Sequence, residues 1–183
     1  MSLTKKRRTV TTAPAPSDSA RAAMRSFVTG VSVLTCGTAE EVEGVTVSTL
    51  SVIPGEPPMV CAALRGGSRG LYALLHAQTF VANGLAADQE PLARHFAQRR
   101  RPRGLGQLPP ESWTARAPEE VPRLSGAVAW LECRPETAVP AGDHELIVAR
   151  VLSAVHTSGA PLVNFAGVLH CGPLIASDME RNP

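Results

Sequence analysis

Short hydrophobic runs separated by Gly, Pro and charged residues dominate the chain. Three such runs, rich in β-branched residues, follow one another: GVSVLTCG (30–37), VEGVTVSTLSV (42–52) and PPMVCAAL (57–64). This composition and spacing predict consecutive antiparallel strands. Four further strands are predicted for TFVANGLA (79–86), GAVAWLECR (126–134), DHELIVARVLSAVH (143–156) and APLVNFAGVLHCG (160–172).

Three short segments between these runs have helical periodicity instead. Residues 18–29 place small and apolar residues at helical spacing. SRGLYALLHA (68–77) has Ser68 as a candidate cap, and DQEPLARHFAQ (88–98) has Asp88. One apolar face of the second helix is predicted to hold Leu71, Leu74 and Leu75. Because helices and strands do not alternate regularly, a parallel sheet is disfavoured, and we predict mainly an antiparallel β barrel with peripheral helices.

Length and composition fit one domain between two tails. The chain has 183 residues, of which 44% are hydrophobic but only 4% aromatic, so the core should be aliphatic. We predict a disordered basic and Pro-rich tail at 1–17, one domain at 18–176 and a C-terminal tail at 177–183. Residues 99–125 are rich in Pro, Gly and Arg, and are predicted to form a long irregular loop.

Charge and cysteine usage limit the classes of partner. A net charge of +2 does not indicate a nucleic-acid partner. No apolar run approaches the roughly 20 residues of a membrane helix, and the first residues lack a secretory pattern, so we expect a cytoplasmic protein without a membrane partner. The cysteines form no CxxC pair, which argues against a metal site and favours reduced, mostly buried thiols: Cys36, Cys61, Cys133 and Cys171.

A strand with small hydroxyl residues is the first candidate for a binding site. In GVTVSTLSV (44–52), Thr46 and Ser48 share one face, and Ser51 follows at the turn. Hydroxyls on a face without bulky groups can hold a phosphate or the polar edge of a heterocycle. The alternative is a solvent-facing strand surface, where Thr and Ser are common.

Two further motifs are ambiguous on their own. RGGSRG (65–70) is a Gly-rich turn that enters a helix and carries two arginines, which suits an anion. A plain turn with solvated arginines would look the same. Asn83 follows an apolar run, so it binds either backbone or a ligand if it is buried, or belongs to a turn that ends the strand.

The Gly142-Asp143-His144 turn lies at the mouth of the strand-like run 143–156. Gly142 permits a positive φ, and His144 would then lie at the rim of the strand, where it could bond a ligand or merely be a half-exposed turn residue. The chain shows no Ser/His/Asp arrangement and no carboxylate pair. If the protein is an enzyme, we therefore expect a cofactor to supply the chemistry.

Read in order, these segments resemble the flavin reductase family, the small components of two-component flavin-dependent monooxygenases. The resemblance covers about residues 21–169 and rests on the Thr/Ser strand, the PP-led strand, FVANGL followed by QEPLARHF, the Gly-Asp-His turn and PLVNFAG. It implies an FMN-binding split barrel, usually a homodimer. It also implies reduction of FMN or FAD by NADH or NADPH, with the reduced flavin passed to a partner monooxygenase.

The resemblance also implies roles for individual residues. His144 matches a histidine associated with the nicotinamide nucleotide, and we predict it as the catalytic residue. Cofactor-binding roles are predicted for Thr46, Ser48, Thr49, Ser51, Arg65, Ser68, Arg69, Asn83 and Phe165. Arg65, Arg69 and the arginines within 99–103 are all candidates for the 2′-phosphate of NADPH.

The chain departs from the family pattern in the loop after QEPLARHF. A family segment rich in Phe is replaced here by RRRPRGLGQLPP (99–110). SVIPGEPPMV (51–60) also carries an extra residue, and Asn164 stands where the family often has Tyr. Two alternatives to a reductase remain: a flavoprotein with tightly bound flavin that acts as an electron carrier or specialised oxidase, and a non-catalytic flavin-binding module.

Overall fold

The computed structural model describes residues 18–114, 120–172 and 174; the predicted tails 1–17 and 177–183 lie outside these residues. Within the described part, the helices are α1 (Asp18–Arg25), α2 (Arg69–His76) and α3 (Glu90–Ala97). The strands are β1 (Thr29–Gly30), β2 (Ser32–Cys36), β3 (Glu43–Val47), β4 (Ser51–Ile53), β5 (Met59–Arg65), β6 (Phe80–Gly84), β7 (Trp113–Thr114), β8 (Arg123–Leu124), β9 (Ala129–Ala141), β10 (His144–His156), β11 (Val163–Phe165) and β12 (Val168–His170).

A seven-stranded sheet organises the fold, in the order β3-β2-β6-β9-β10-β5-β4, with every neighbouring pair antiparallel. Its opposite edges, β3 and β4, are joined by residues 48–50 alone. Four Cα steps span at most about 14 Å, so the two edges lie close together and the sheet must curl strongly. The predicted antiparallel sheet with few helices is confirmed, but β3 and β4 are not paired within the described residues, so hydrogen bonds do not close a barrel there.

Two hydrophobic clusters fill the fold. The first joins the sheet to α2, and the second joins it to α3 and the segment around β7 and β8; the largest fully buried side chains of the two are Phe80 and Phe96. Most other core residues are Val, Leu, Ile and Ala, as the composition predicts.

Two glycines let the helices approach β3 closely. A Cβ atom on Gly44 of β3 would lie 2.4 Å from the Phe96 ring of α3. A Cβ atom on Gly70 of α2 would lie 2.7 Å from Cβ of Val45. Both separations are shorter than van der Waals contact allows, so any side chain at either position would push a helix away from the sheet.

We expect Gly44→Ala to lower the free energy of unfolding by about 1–3 kcal/mol, the usual cost of an inserted methyl group in a packed core. Urea denaturation would measure the loss. Gly30→Ala is the matched control, because nothing lies within 4 Å of a Cβ atom there. Equal stability of the two variants would show that α3 can move away from β3 without cost.

Several predicted boundaries are wrong. The first helix ends at Arg25, and the predicted strand at 42–52 breaks into β3 and β4 where the chain crosses between sheet edges. The predicted strand at 160–172 is the hairpin β11–β12, because Ala166 and Gly167 both have positive φ and form a tight turn.

The strand predicted for 126–134 is longer than expected. It continues as β9 to Ala141, and the 13-residue β9 and β10 pair as a long hairpin. Pro135 lies within it, and the register with β10 shifts between Val148 and Ala149, which lies opposite this proline. A local irregularity accommodates the missing N–H donor.

The predicted helix caps have mixed outcomes. Ser68 caps α2 as expected, since its hydroxyl accepts a hydrogen bond from the Leu71 N–H at 3.2 Å. Asp88 does not cap α3; the N-cap is Gln89, whose side chain instead accepts from Ala86 N and donates to Ser125 O.

Leu75, predicted on the buried face of α2, is 44% exposed, whereas the other two leucines of that face are buried.

The cysteines are free thiols, as predicted. Burial raises the pKa of Cys36 and of Cys133 to about 12, so both stay protonated at neutral pH. Cys61 is half-buried and Cys171 is exposed, so the prediction of burial holds for two of the four. Among the helices in the described ranges, none combines the length and apolarity needed to span a membrane.

Candidate functional site

The Gly-rich turn 65–70 and the Gly142-Asp143-His144 turn adjoin each other. Arg65 and His144 are register partners on β5 and β10, and the Gly66 N–H donates to the Asp143 carbonyl at 2.8 Å. Gly142 has φ +66°, the positive value expected from the sequence. Two motifs that are 70 to 80 residues apart in the chain therefore meet at one end of the β5–β10 pair.

His144 lies at the rim of this junction and its side chain is 42% exposed. Its Nδ1 is 2.7 Å from Oδ1 of Asp143. This hydrogen bond, with the attraction between the two groups, lowers the pKa of Asp143 below its ordinary value. An ionised carboxylate can only accept, so Nδ1 donates and Nε2 is the ring nitrogen left for a ligand.

A cavity of about 440 Å³ opens beside the Gly-rich turn. The turn and the first residues of α2 form one wall, and the end of α3 with the following loop forms the other. The polar residues that line it are Arg65, Ser68, Arg69, Gln98, Arg99 and Arg101. Arginines at the N-terminus of a helix favour a bound anion, as the motif predicts.

A buried carboxylate, that of Glu43, forms ion pairs with two of the arginines that line this cavity. The Glu43 side chain is only 6% exposed; its Oε2 is 2.7 Å from Arg69 Nε, and its Oε1 bonds Arg101. Arg101 also donates to the Gly44 carbonyl and lies over the Phe96 ring. Burial lowers the pKa of Arg101, and the charge of Glu43 opposes that shift.

Neither Glu43 nor its pairing with Arg101 was predicted from the sequence. A charged residue inside the β-branched run VEGVTV was a usable signal for Glu43, because charges are rarely buried unless paired. The sequence did not indicate which arginine would pair with Glu43, because Arg101 lies 58 residues further along the chain. Arg69, predicted to bind a cofactor, lines the cavity and also bonds Glu43 and the Arg101 carbonyl; its role in cofactor binding stays a prediction.

The Thr/Ser strand leads to a second cavity of about 310 Å³. Thr46 and Ser48 both line it, although β3 ends at Val47 and Ser48 lies in the bend that follows, and Asn164 lies across from them on β11. The Thr46 hydroxyl donates to the Ala93 carbonyl at 2.7 Å. In the described ranges the Ser48 hydroxyl has no hydrogen-bond partner. Ala97 lines both cavities, so they flank the C-terminal end of α3.

The other predicted site residues are not among those lining these two cavities. The Thr49 hydroxyl donates to the Ala63 carbonyl and accepts from its N–H. Ser51 lies exposed on the edge strand β4, and Phe165 is exposed on β11. Their roles in cofactor binding stay predictions.

Asn83 is fully buried on β6. Its amide donates to the Val33 and Val81 carbonyls and to the Thr35 hydroxyl, and its oxygen accepts from the Leu124 N–H at 2.8 Å. The sequence left open whether Asn83 is buried and hydrogen-bonded or belongs to a turn. The structure shows a buried side chain that bonds backbone groups and one hydroxyl. Its assignment to the cofactor rests on the family resemblance alone.

The curled antiparallel sheet therefore carries an arginine-lined cavity with the histidine turn adjoining it. A family model described as the flavin reductase like domain matches residues 24–171. The chain belongs to this family.

Relatives and solved structures agree with this assignment. The chain is 38% identical over 151 residues to an NADPH-flavin oxidoreductase of Streptomyces viridifaciens, covering 82% of this chain and 78% of the relative. It is 35% identical over 159 residues to the NADH-dependent flavin reductase StyB of Pseudomonas fluorescens, covering 84% and 89%. The structure of BorF, the flavin reductase component of a bacterial two-component tryptophan halogenase, matches with a TM-score of 0.77 at 32% identity, covering 86% and 98%.

Proposed function

We propose that this protein is an NAD(P)H-dependent flavin reductase that transfers hydride from the nicotinamide to FMN or FAD and supplies reduced flavin to a partner monooxygenase. The observation that carries the proposal is the junction of the arginine-lined cavity with the His144 turn, in a chain of the flavin reductase family. The names of the relatives, which pair NADH or NADPH with flavin reduction, support it.

The donor chemistry of the two cavities fits a flavin nucleotide. The first offers guanidinium groups and the N-terminus of α2, which suit a phosphate. Gly67 has φ +69° and nothing lies within 4 Å of a Cβ atom there, so a ligand can approach the backbone. The second offers the hydroxyls of Thr46 and Ser48, which suit the polar edge of a heterocycle.

The chain's residues would contribute binding and orientation. A bound flavin supplies the hydride acceptor. Ser68 and the N-terminus of α2 would hold the flavin phosphate, and Thr46 and Ser48 would position the ring edge. Arg65 and His144 would bind the nicotinamide nucleotide, His144 through Nε2. Such positioning can lower a barrier by about 7–11 kcal/mol without any acid or base, which agrees with the lack of a recognisable acid–base pair.

We also propose the finer architecture that the resemblance implies. The curled sheet would be an FMN-binding split barrel, and the domain would span 18–176 between the tails 1–17 and 177–183. The edge strand β4 carries exposed Val52 and Ile53, and such an edge is normally covered, which supports a homodimer. The free cysteines agree with a reducing compartment, so we place the protein in the cytoplasm.

The test is oxidation of NADH and of NADPH by the purified protein, with FMN or FAD added over a range of concentrations. We expect a rate that saturates with added flavin. If the protein retains its flavin through gel filtration and its rate does not depend on added flavin, it is instead a flavoprotein with tightly bound flavin. Absence of oxidation with either flavin would leave a non-catalytic binding module and refute the proposal.

A further inference from the structure

We propose that Arg99 and Arg65 form a subsite for the 2′-phosphate of NADPH, and that the protein consequently prefers NADPH over NADH. The inference rests on the proposed reductase function and deepens it, since it names the residues that select the co-substrate. Four arginines line the cavity of about 440 Å³, and the structure separates them into two pairs.

The first pair is committed to the protein itself. Arg69 and Arg101 both pair with the buried Glu43, and the Arg101 side chain is only 5% exposed. Arg69 also donates to the Arg101 carbonyl at 3.1 Å. Both guanidiniums are ion-paired with Glu43, so we expect them mainly to hold the loop after α3 against the sheet.

The second pair is available to a ligand. Arg65 and Arg99 are exposed at the rim of the cavity, and within the described residues neither has a carboxylate oxygen within 4.0 Å. Four arginines line this cavity, and its lining within the described residues includes no Asp or Glu, so the cavity wall is positively charged. A phosphate monoester dianion complements such a site, and each planar guanidinium can bind it through two hydrogen bonds.

The position of the pair favours the co-substrate over the flavin. The nicotinamide nucleotide must be exchanged after each hydride transfer, so we expect the groups that bind it to lie at the open rim of the site. Arg65 is at that rim and is the register partner of His144, whose Nε2 is left for a ligand. NADH carries a neutral hydroxyl where NADPH carries the 2′-phosphate, so only NADPH would engage both arginines.

The loop that carries Arg99 is held in place although it is long. Arg101, two residues further on, is anchored by Glu43, by the Gly44 carbonyl and by its position over Phe96. Because this anchor is buried, Arg99 is presented at a defined place on the cavity wall. Pre-positioned donors lose less entropy on binding than mobile ones, which favours selectivity.

The first experiment compares kcat/KM for NADPH and for NADH in the full-length protein, in Arg99→Ala and in Arg65→Ala. We expect the unaltered protein to prefer NADPH, and each variant to reduce the NADPH to NADH ratio by about tenfold, the value expected for one charge-assisted contact. Arg100→Ala is the matched control, because it removes the same charge from the same exposed loop but does not line the cavity. We expect its ratio to change by less than about twofold.

A binding measurement gives a readout independent of turnover. Isothermal titration calorimetry with 2′,5′-ADP and with 5′-AMP would show tighter binding of 2′,5′-ADP, and Arg99→Ala would remove that difference. If the protein prefers NADH, or if Arg99→Ala and Arg100→Ala change the ratio equally, the subsite is refuted.

The flavin phosphate is the rival ligand for these arginines. A raised KM for FMN in Arg99→Ala and Arg65→Ala, with an unchanged NADPH to NADH ratio, would assign them to the flavin and overturn the proposal. If neither coenzyme is oxidised, the proposed reductase function is refuted. The calorimetry would still show whether the arginines bind a 2′-phosphate.

Discussion

Glu43→Gln is expected to lower the free energy of unfolding by about 3–5 kcal/mol, the range found when one partner of a buried ion pair is removed. Glu43 is buried on β3, and its carboxylate compensates Arg69 and the almost fully buried Arg101. An amide of the same shape would leave the Arg101 guanidinium buried without a counter-charge. Urea denaturation followed by circular dichroism would measure the change.

Glu40→Gln is the control, since Glu40 is exposed three residues earlier and should change stability by less than about 0.5 kcal/mol. A double variant provides a sharper test. Replacing a buried pair with apolar residues is often close to neutral, so Glu43→Leu with Arg101→Met should recover much of the stability that Glu43→Leu alone loses. A Glu43→Gln loss no larger than that of Glu40→Gln would show that the carboxylate does not hold the cluster.

His144→Ala is expected to lower kcat/KM for the nicotinamide co-substrate by about 10- to 100-fold, while the affinity for flavin stays similar. The estimate corresponds to one lost hydrogen bond to a charged group. The structure prepares this contact, because Asp143 accepts from Nδ1 and so orients the ring with Nε2 outward. Steady-state kinetics with varied NADH or NADPH, and fluorescence titration of flavin, would measure the two quantities.

His156→Ala is the matched control, because His156 is an exposed histidine at the other end of the same strand. Asp143→Asn should produce a smaller loss in the same direction, since it weakens the orientation of the ring without removing it. Unchanged kinetics of His144→Ala would remove His144 from the site and leave the turn as a structural feature.

The arginine-lined cavity and the turn that carries His144 show how far the sequence could predict the site. The Gly142 conformation and the Ser68 cap depend on neighbours within a few residues, and both predictions are confirmed. The role of Arg69 depends on Glu43, which lies 26 residues away, and nothing in the local pattern reveals that pairing.

The sequence by itself determined the type of most elements but not the number of strands, because hydrophobic periodicity, turn residues and caps act over short stretches of chain. It also determined the family, through motifs in a particular order. Only the tertiary structure decided where the strand at 42–52 breaks, since that break follows from the return of the chain to the opposite sheet edge. It alone decided which arginines remain available to a ligand, because pairing with a buried carboxylate depends on contacts between residues far apart in the chain.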